Sequence, residues 1–220
     1  YLTNTENEED SEWVGCPLVV HRRCINPMFK ISNELCYGNT MKLHTQEPKP
    51  GTEIAERFIL PYSVWINVKG SEQNPGDKNH FVSEQGKRVC EIVAKGFEKY
   101  GDPPDLYIIS PFKTVISGMK KMLSESELLQ QHRKKVEEWC ETNCGTVHTF
   151  QGKEAAEVVF LLGCDKHSIE SARWVNSNIV NVAVTRAKYR LYVIGDYEVW
   201  KESKQLRLVK EKLEWYLECK

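Results

Sequence analysis

Long hydrophobic runs are missing from this 220-residue chain. No stretch approaches the roughly eighteen consecutive apolar residues of a membrane span, and the N-terminus lacks the basic, apolar, small-residue order of a secretion signal. Net charge is almost absent: 30 Lys and Arg against 31 Asp and Glu leave −1. That excludes a basic tail as a polyanion binder, although a local basic groove stays possible because binding follows the field at the contact surface. Paired-cysteine motifs are missing too. The eight cysteines include no CxxC pair, and only Cys140 and Cys144 fall within one helical turn. This spacing argues against a zinc cluster or a disulfide framework and for reduced, buried thiols in an intracellular, cytoplasmic protein. No metal-ligand set is assigned, and no spacing places Cys140 or Cys164 beside a histidine as a nucleophile. Finally, neither Gly86-Lys87 nor Gly152-Lys153 has the upstream glycine and following Ser or Thr of a phosphate-binding loop.

What is present is a composition 40% hydrophobic and 28% charged, enough for one sizeable core. Residues 1–14 read as a polar lead-in and 15–220 as a single domain. The expected strands are Leu18 to Val20, Val64 to Val68, Leu106 to Ile109, Val158 to Leu162 and Arg190 to Ile194. Helices are expected from Pro27 to Tyr37, from Ser83 (apolar face Val89, Ile92, Val93, Phe97), after Pro111 and from Glu125 to Trp139. Asn181 to Lys188 is read as a short helix, and Val199 to Leu217 as a closing amphipathic helix. Residues 44–56 read as a loop. Near-continuous apolar strands alternating with helices imply an α/β parallel sheet covered on both faces, because a strand with one wet face would alternate.

Parallel sheets bind ligands at loops leaving the carboxyl ends of strands, and four segments stand out there. His21-Arg22-Arg23 offers planar guanidinium forks suited to phosphate; arginines are also common on ordinary surfaces. Ser110-Pro111-Phe112 can hold a backbone phosphate, or Ser110 simply caps a helix with Pro111 at its first position. The run Thr146 to Glu154 (Thr-Val-His-Thr-Phe-Gln-Gly-Lys-Glu) is dense in hydrogen-bonding groups, with Gly152 permitting close backbone approach and Glu154 suited to ribose hydroxyls. Asn181 to Lys188 (Asn-Val-Ala-Val-Thr-Arg-Ala-Lys) lets Arg186 project from a helix of small residues, although a solvated arginine is the plain alternative.

In this order the four segments resemble the C-terminal half of superfamily 1 helicases, in the 5′-to-3′ branch that includes the upframeshift RNA helicases. The likeness spans roughly Leu18 to Asp196. Thr146 to Glu154 is similar to the family's motif V, Asn181 to Lys188 to motif VI, and Ile108 to Phe112 to motif IV. His21-Arg22-Arg23 with Asn26-Pro27 resembles the arginine-bearing segment after motif III, with Arg22 where the family usually has an aromatic.

This resemblance implies a three-layer RecA-like domain without its own phosphate-binding loop. It implies Arg23 and Arg186 as arginine fingers, Gln151, Gly152 and Glu154 at the nucleotide, and Ser110, Pro111, His148 and Thr149 on single-stranded DNA or RNA. ATP and Mg²⁺ would be held mainly by an upstream RecA-like domain of the same polypeptide, and the isolated chain would be inactive. The rival expectation is a catalytically decayed RecA-like module that serves as a binding or scaffold domain.

Overall fold

The computed structural model describes residues 19–72, 79–100 and 102–216; the expected lead-in and Leu18 lie outside them. A two-stranded parallel pair, β1 (Val20–His21) and β2 (Lys42–Leu43), brackets helix α1 (Met28–Cys36). After the four-residue helix α2 (Glu53–Glu56) come β3 (Val64–Asn67), α3 (Ser83–Tyr100), β4 (Leu106–Ser110), α4 (Lys113–Glu125) and α5 (Arg133–Asn143). Then follow β5 (Cys144–Thr146), β6 (Ala155–Leu161), α6 (Ile169–Ala172), α7 (Ser177–Val184), β7 (Ala187–Gly195), α8 (Tyr197–Trp200), α9 (Lys204–Lys212) and β8 (Glu214–Tyr216).

Strands β3 to β8 form one parallel sheet in the order β5-β4-β6-β7-β3-β8. Successive residues of its strands point to opposite faces, and both faces are dry. Val158, Phe160 and Leu162 join Leu191, Val193, α1, α7, α8 and α9 on one side. Val159 and Leu161 join Tyr192, Ile194, α3, α4 and α5 on the other. This is the three-layer RecA-like arrangement. Helix α3 shows why the sequence folds this way: Val89, Ile92, Val93 and Phe97 fall on one face and all four are buried, each contributing about 1.5–3 kcal/mol by leaving water.

Several boundaries differ from the sequence expectation. The charged stretch after Glu125 is a 3-10 turn (Glu127–His132) ahead of α5, with Leu129 as its buried anchor. The tail is not one helix. Asp196 and Ser203 cap two separate helices through their side chains, and the chain then adds β8 beside β3. Helix α7 ends at Val184 with Thr185 as C-cap, so Arg186 is not on a helix face. Within 44–56, Thr52 caps α2 by accepting the Ala55 N–H. Among the described residues no helix is long and apolar enough to cross a membrane.

Candidate functional site

The turn from α7 into β7 places Arg186 at the amino end of the sheet, where its carbonyl accepts the Ala155 N–H at 3.0 Å. Its side chain is not a solvated finger. The residue is 4% exposed. Nε donates to Val182 O at 3.0 Å, Nη1 to Phe150 O at 3.1 Å and Lys153 O at 2.8 Å, and Nη2 to Thr185 Oγ1 at 3.3 Å. Four of the five guanidinium donors therefore hold α7 and the loop before β6. Burial, and then the positive charge of Arg23, pull its pKa down.

Gln151 and Gly152 sit exposed between the two carbonyls that Arg186 holds, and Gly152 adopts φ +87°, a conformation glycine takes without a steric penalty. Arg23 reaches the same loop, with Nε 3.8 Å from Glu154 Oε2 and both side chains nearly half exposed. Behind Arg23, His21 Nε2 accepts the Cys24 N–H at 3.1 Å, and the Ile25 N–H donates to Lys188 O at 3.1 Å. Those bonds tie the arginine segment to the start of β7. Burial, with Arg23 nearby, lowers the His21 pKa.

The structure thus brings Arg23, Gln151, Gly152, Glu154 and Arg186 together, but not where parallel-sheet ligands were expected. They gather at the amino ends of β6 and β7. The half-exposed guanidinium of Arg23 suits phosphate oxygens, whereas Arg186 spends four of its donors inside the fold. A magnesium ion seeks hard oxygen ligands, and the carboxylate here, Glu154, is already engaged by Arg23. The set fits the anionic part of a nucleotide better than its metal.

A second surface lies at the carboxyl end. Ser110 closes β4, is fully buried, and its Oγ accepts the Phe112 N–H at 3.2 Å. Helix α4 starts at Lys113 with Phe112 as its N-cap, so Pro111 precedes the helix and does not occupy its first position. Pro111 and His148 line an open cleft of about 520 Å³ with Phe112, Lys113, Thr146 and Trp174. Ser110 and Thr149 do not line it; Thr149 is exposed on the adjoining 3-10 turn (Val147–Phe150) and contacts Thr146 Oγ1 at 3.2 Å. Trp174, 54% exposed, is not among the residues that the sequence reading places at this surface. A tryptophan inside the polar stretch Ser171 to Ser177 was the available signal.

One segment joins the two surfaces. Thr146 is level with Ser110 at the carboxyl edge, and Ala155 opens β6 beside Ala187 at the amino edge. Between them Phe150 stacks on Tyr107, ring centroids 4.4 Å apart, which pins the crossing segment to β4.

Comparison with known proteins agrees with this architecture. A family model described as "AAA domain" matches residues 6–198. The chain is 27% identical over 212 residues to an uncharacterized ATP-dependent helicase of Methanocaldococcus jannaschii, covering 90% of this chain and 28% of the relative. It is 26% identical over 141 residues to a regulator of nonsense transcripts 1 homolog of Neurospora crassa, covering 63% of this chain and 12% of that one. With the mouse RNA helicase Mov10l1 the identity is 23% over 196 residues, 83% of this chain and 16% of the relative. The chain therefore spans little more than a quarter of the longest-covered of these relatives. With the match covering most of its length, the chain belongs to the AAA domain family and is a superfamily 1 helicase-like domain.

Proposed function

We propose that this chain is the second motor domain of an ATP-dependent superfamily 1 helicase, completing a nucleotide cleft with arginines and gripping single-stranded DNA or RNA. The observation that carries the reading is the segment Thr146 to Glu154, whose one end borders the cleft at Trp174 and whose other end is held by Arg186. A shift of the loop at the nucleotide end is passed along the same short segment to the strand-gripping end, which is what coupling hydrolysis to movement requires.

ATP and Mg²⁺, held mainly by an upstream RecA-like domain, would supply the transferable phosphoryl group. Arg23, nearly half exposed, is the residue placed to meet phosphate oxygens and stabilise charge that builds up during transfer. Arg186 has two roles in this reading. It clamps the loop in the open cleft and turns part of its fork to the phosphate on closure, when a better acceptor replaces a backbone carbonyl. Gln151 and Gly152 line the nucleotide, and Glu154, released from Arg23, takes the ribose hydroxyls. Pro111 and His148 form the cleft wall with Ser110 and Thr149 behind it, and Trp174 offers a face on which a base stacks without regard to sequence.

The test joins this chain to its upstream domain and measures ATPase activity with and without single-stranded DNA or RNA. Arg23→Ala is expected to cut stimulated turnover by at least about 10²-fold, with the melting temperature unchanged. Arg186→Lys, which keeps charge but not the fork, is expected to lose stimulated turnover to a similar degree. Stimulated turnover within about twofold of wild type in both variants, against the 10³–10⁵ an arginine finger supplies, would overturn the motor reading. Absent turnover with intact strand binding would instead support a decayed binding module.

A further inference from the structure

Three chain segments converge in a buried cluster next to the carboxyl-end cleft. Glu72 follows β3, His80 precedes α3, and Cys164 follows β6. No sequence spacing pointed to this set, because only the sheet brings Cys164 across to His80. The carboxylate, imidazole and thiol ligand atoms all lie within 4.8 Å of one another, and the three residues are 4%, 7% and 0% exposed.

The geometry is close to that of a metal site. His80 Nδ1 and Glu72 Oε1 are hydrogen-bonded at 3.2 Å, a separation that also matches the roughly 3.3 Å between two ligands about 2.0 Å from a tetrahedral zinc ion. The backbone is shaped to present the ligands. His80 and Cys164 have φ +55° and +63°, a region disfavoured for non-glycine residues and frequent at functional sites. The Cys164 N–H donates to His80 O at 2.8 Å, and the His80 N–H donates to Glu72 Oε2 at 3.1 Å. A side chain on Gly163 would stand 2.4 Å from His80 O, so that position admits only glycine. Asp165 ties the backbone at Glu72 to the loop after Cys164, its Oδ2 accepting the Glu72 N–H at 3.1 Å and its Oδ1 the His167 N–H at 2.8 Å.

We propose that Glu72, His80 and Cys164 bind a zinc-class divalent cation, with water as the fourth ligand. The mixed oxygen, nitrogen and sulfur donor set selects a borderline-soft ion over magnesium or calcium. Binding displaces the thiol proton to solvent and forms the metal–sulfur bond; the two anionic ligands then balance the ion's two positive charges. A nucleophilic Cys–His pair is the competing use of these residues. Cys164 does not suit it, being fully buried, whereas a reactive thiolate sits in a partly exposed, electropositive setting. The His80 ring packs on Phe112 with centroids 4.6 Å apart and borders the cleft. An ion here would lock that wall of the cleft to the loops after β3 and β6.

The test uses the full chain, purified without a metal-chelating tag. After dialysis, mass spectrometry is expected to find about one zinc per chain, and chelator-stripped protein titrated with cobalt should develop a thiolate-to-cobalt charge-transfer band with tetrahedral d–d bands. Cys164→Ser is expected to abolish the charge-transfer band, while Cys36→Ser keeps it. Circular dichroism reports folding of each variant. Should Cys164→Ser lose its native signal, Glu72→Gln and His80→Gln decide, each expected to weaken cobalt binding by at least about tenfold. Wild-type protein with neither bound metal nor a cobalt band, or a band that survives all three ligand changes, would overturn the proposal.

Discussion

Glu157 is a carboxyl group in the wrong place for a charge, and its stability should show it. The residue is 2% exposed on β6, where its oxygens accept the Ile59 N–H at 3.0 and 3.2 Å and the hydroxyls of Tyr100 and Tyr192. Burial pushes its pKa up to about 7, against the pull of these hydrogen bonds and of Arg190. The folded state therefore holds the proton more tightly than the unfolded chain, whose carboxyl has its ordinary 4.5. For a raised carboxyl pKa the sign is unambiguous: the contribution is favourable at low pH, falls as pH rises from about 4.5 towards 7, and is flat above that. The gap, at about 1.4 kcal/mol per pH unit, is about 3 kcal/mol. Glu157→Gln keeps an acceptor for the Ile59 N–H and cannot ionise, so it mimics the protonated acid. Urea unfolding of both proteins at several pH values between about 5 and 8 should show the variant gaining about 2.5 kcal/mol on wild type across this range. Because other groups titrate in both proteins, the difference isolates Glu157. A difference that stays constant with pH would refute the reasoning.

Arg186→Ala leaves the Phe150 and Lys153 carbonyls without this donor and is expected to destabilise the fold by about 2–4 kcal/mol, read by denaturant midpoint. Gly152→Ala meets open space at its Cβ but a φ of +87°; a loss of about 1 kcal/mol, with no change in core packing by near-ultraviolet circular dichroism, is expected. Trp174→Ala should weaken single-strand binding by about 1–3 kcal/mol at unchanged melting temperature, as measured by fluorescence anisotropy. Binding should also fall steeply with salt if phosphates are gripped at the same surface.

Sequence alone determined the three-layer sheet, because runs such as Val158 to Leu162 are apolar at every position and a strand of that kind must be covered on both faces. It marked the Thr146 to Glu154 run by its density of hydrogen-bonding groups, whereas Arg23 and Arg186 were marked only by the resemblance to superfamily 1 helicases, since arginines by themselves are ordinary surface residues. Local pattern could not say where those residues stand. Arg186 reads as a helical surface residue until the turn at Thr185 and the pairing of Ala187 with Ala155 swing it under the loop, where backbone carbonyls take its donors. Nor could spacing reveal that Glu72, His80 and Cys164 meet, for they come from three elements joined only by the strand order β6-β7-β3. Hydrophobic periodicity is a property of neighbours along the chain, whereas a site is assembled from neighbours across the sheet, and only the tertiary structure supplies those.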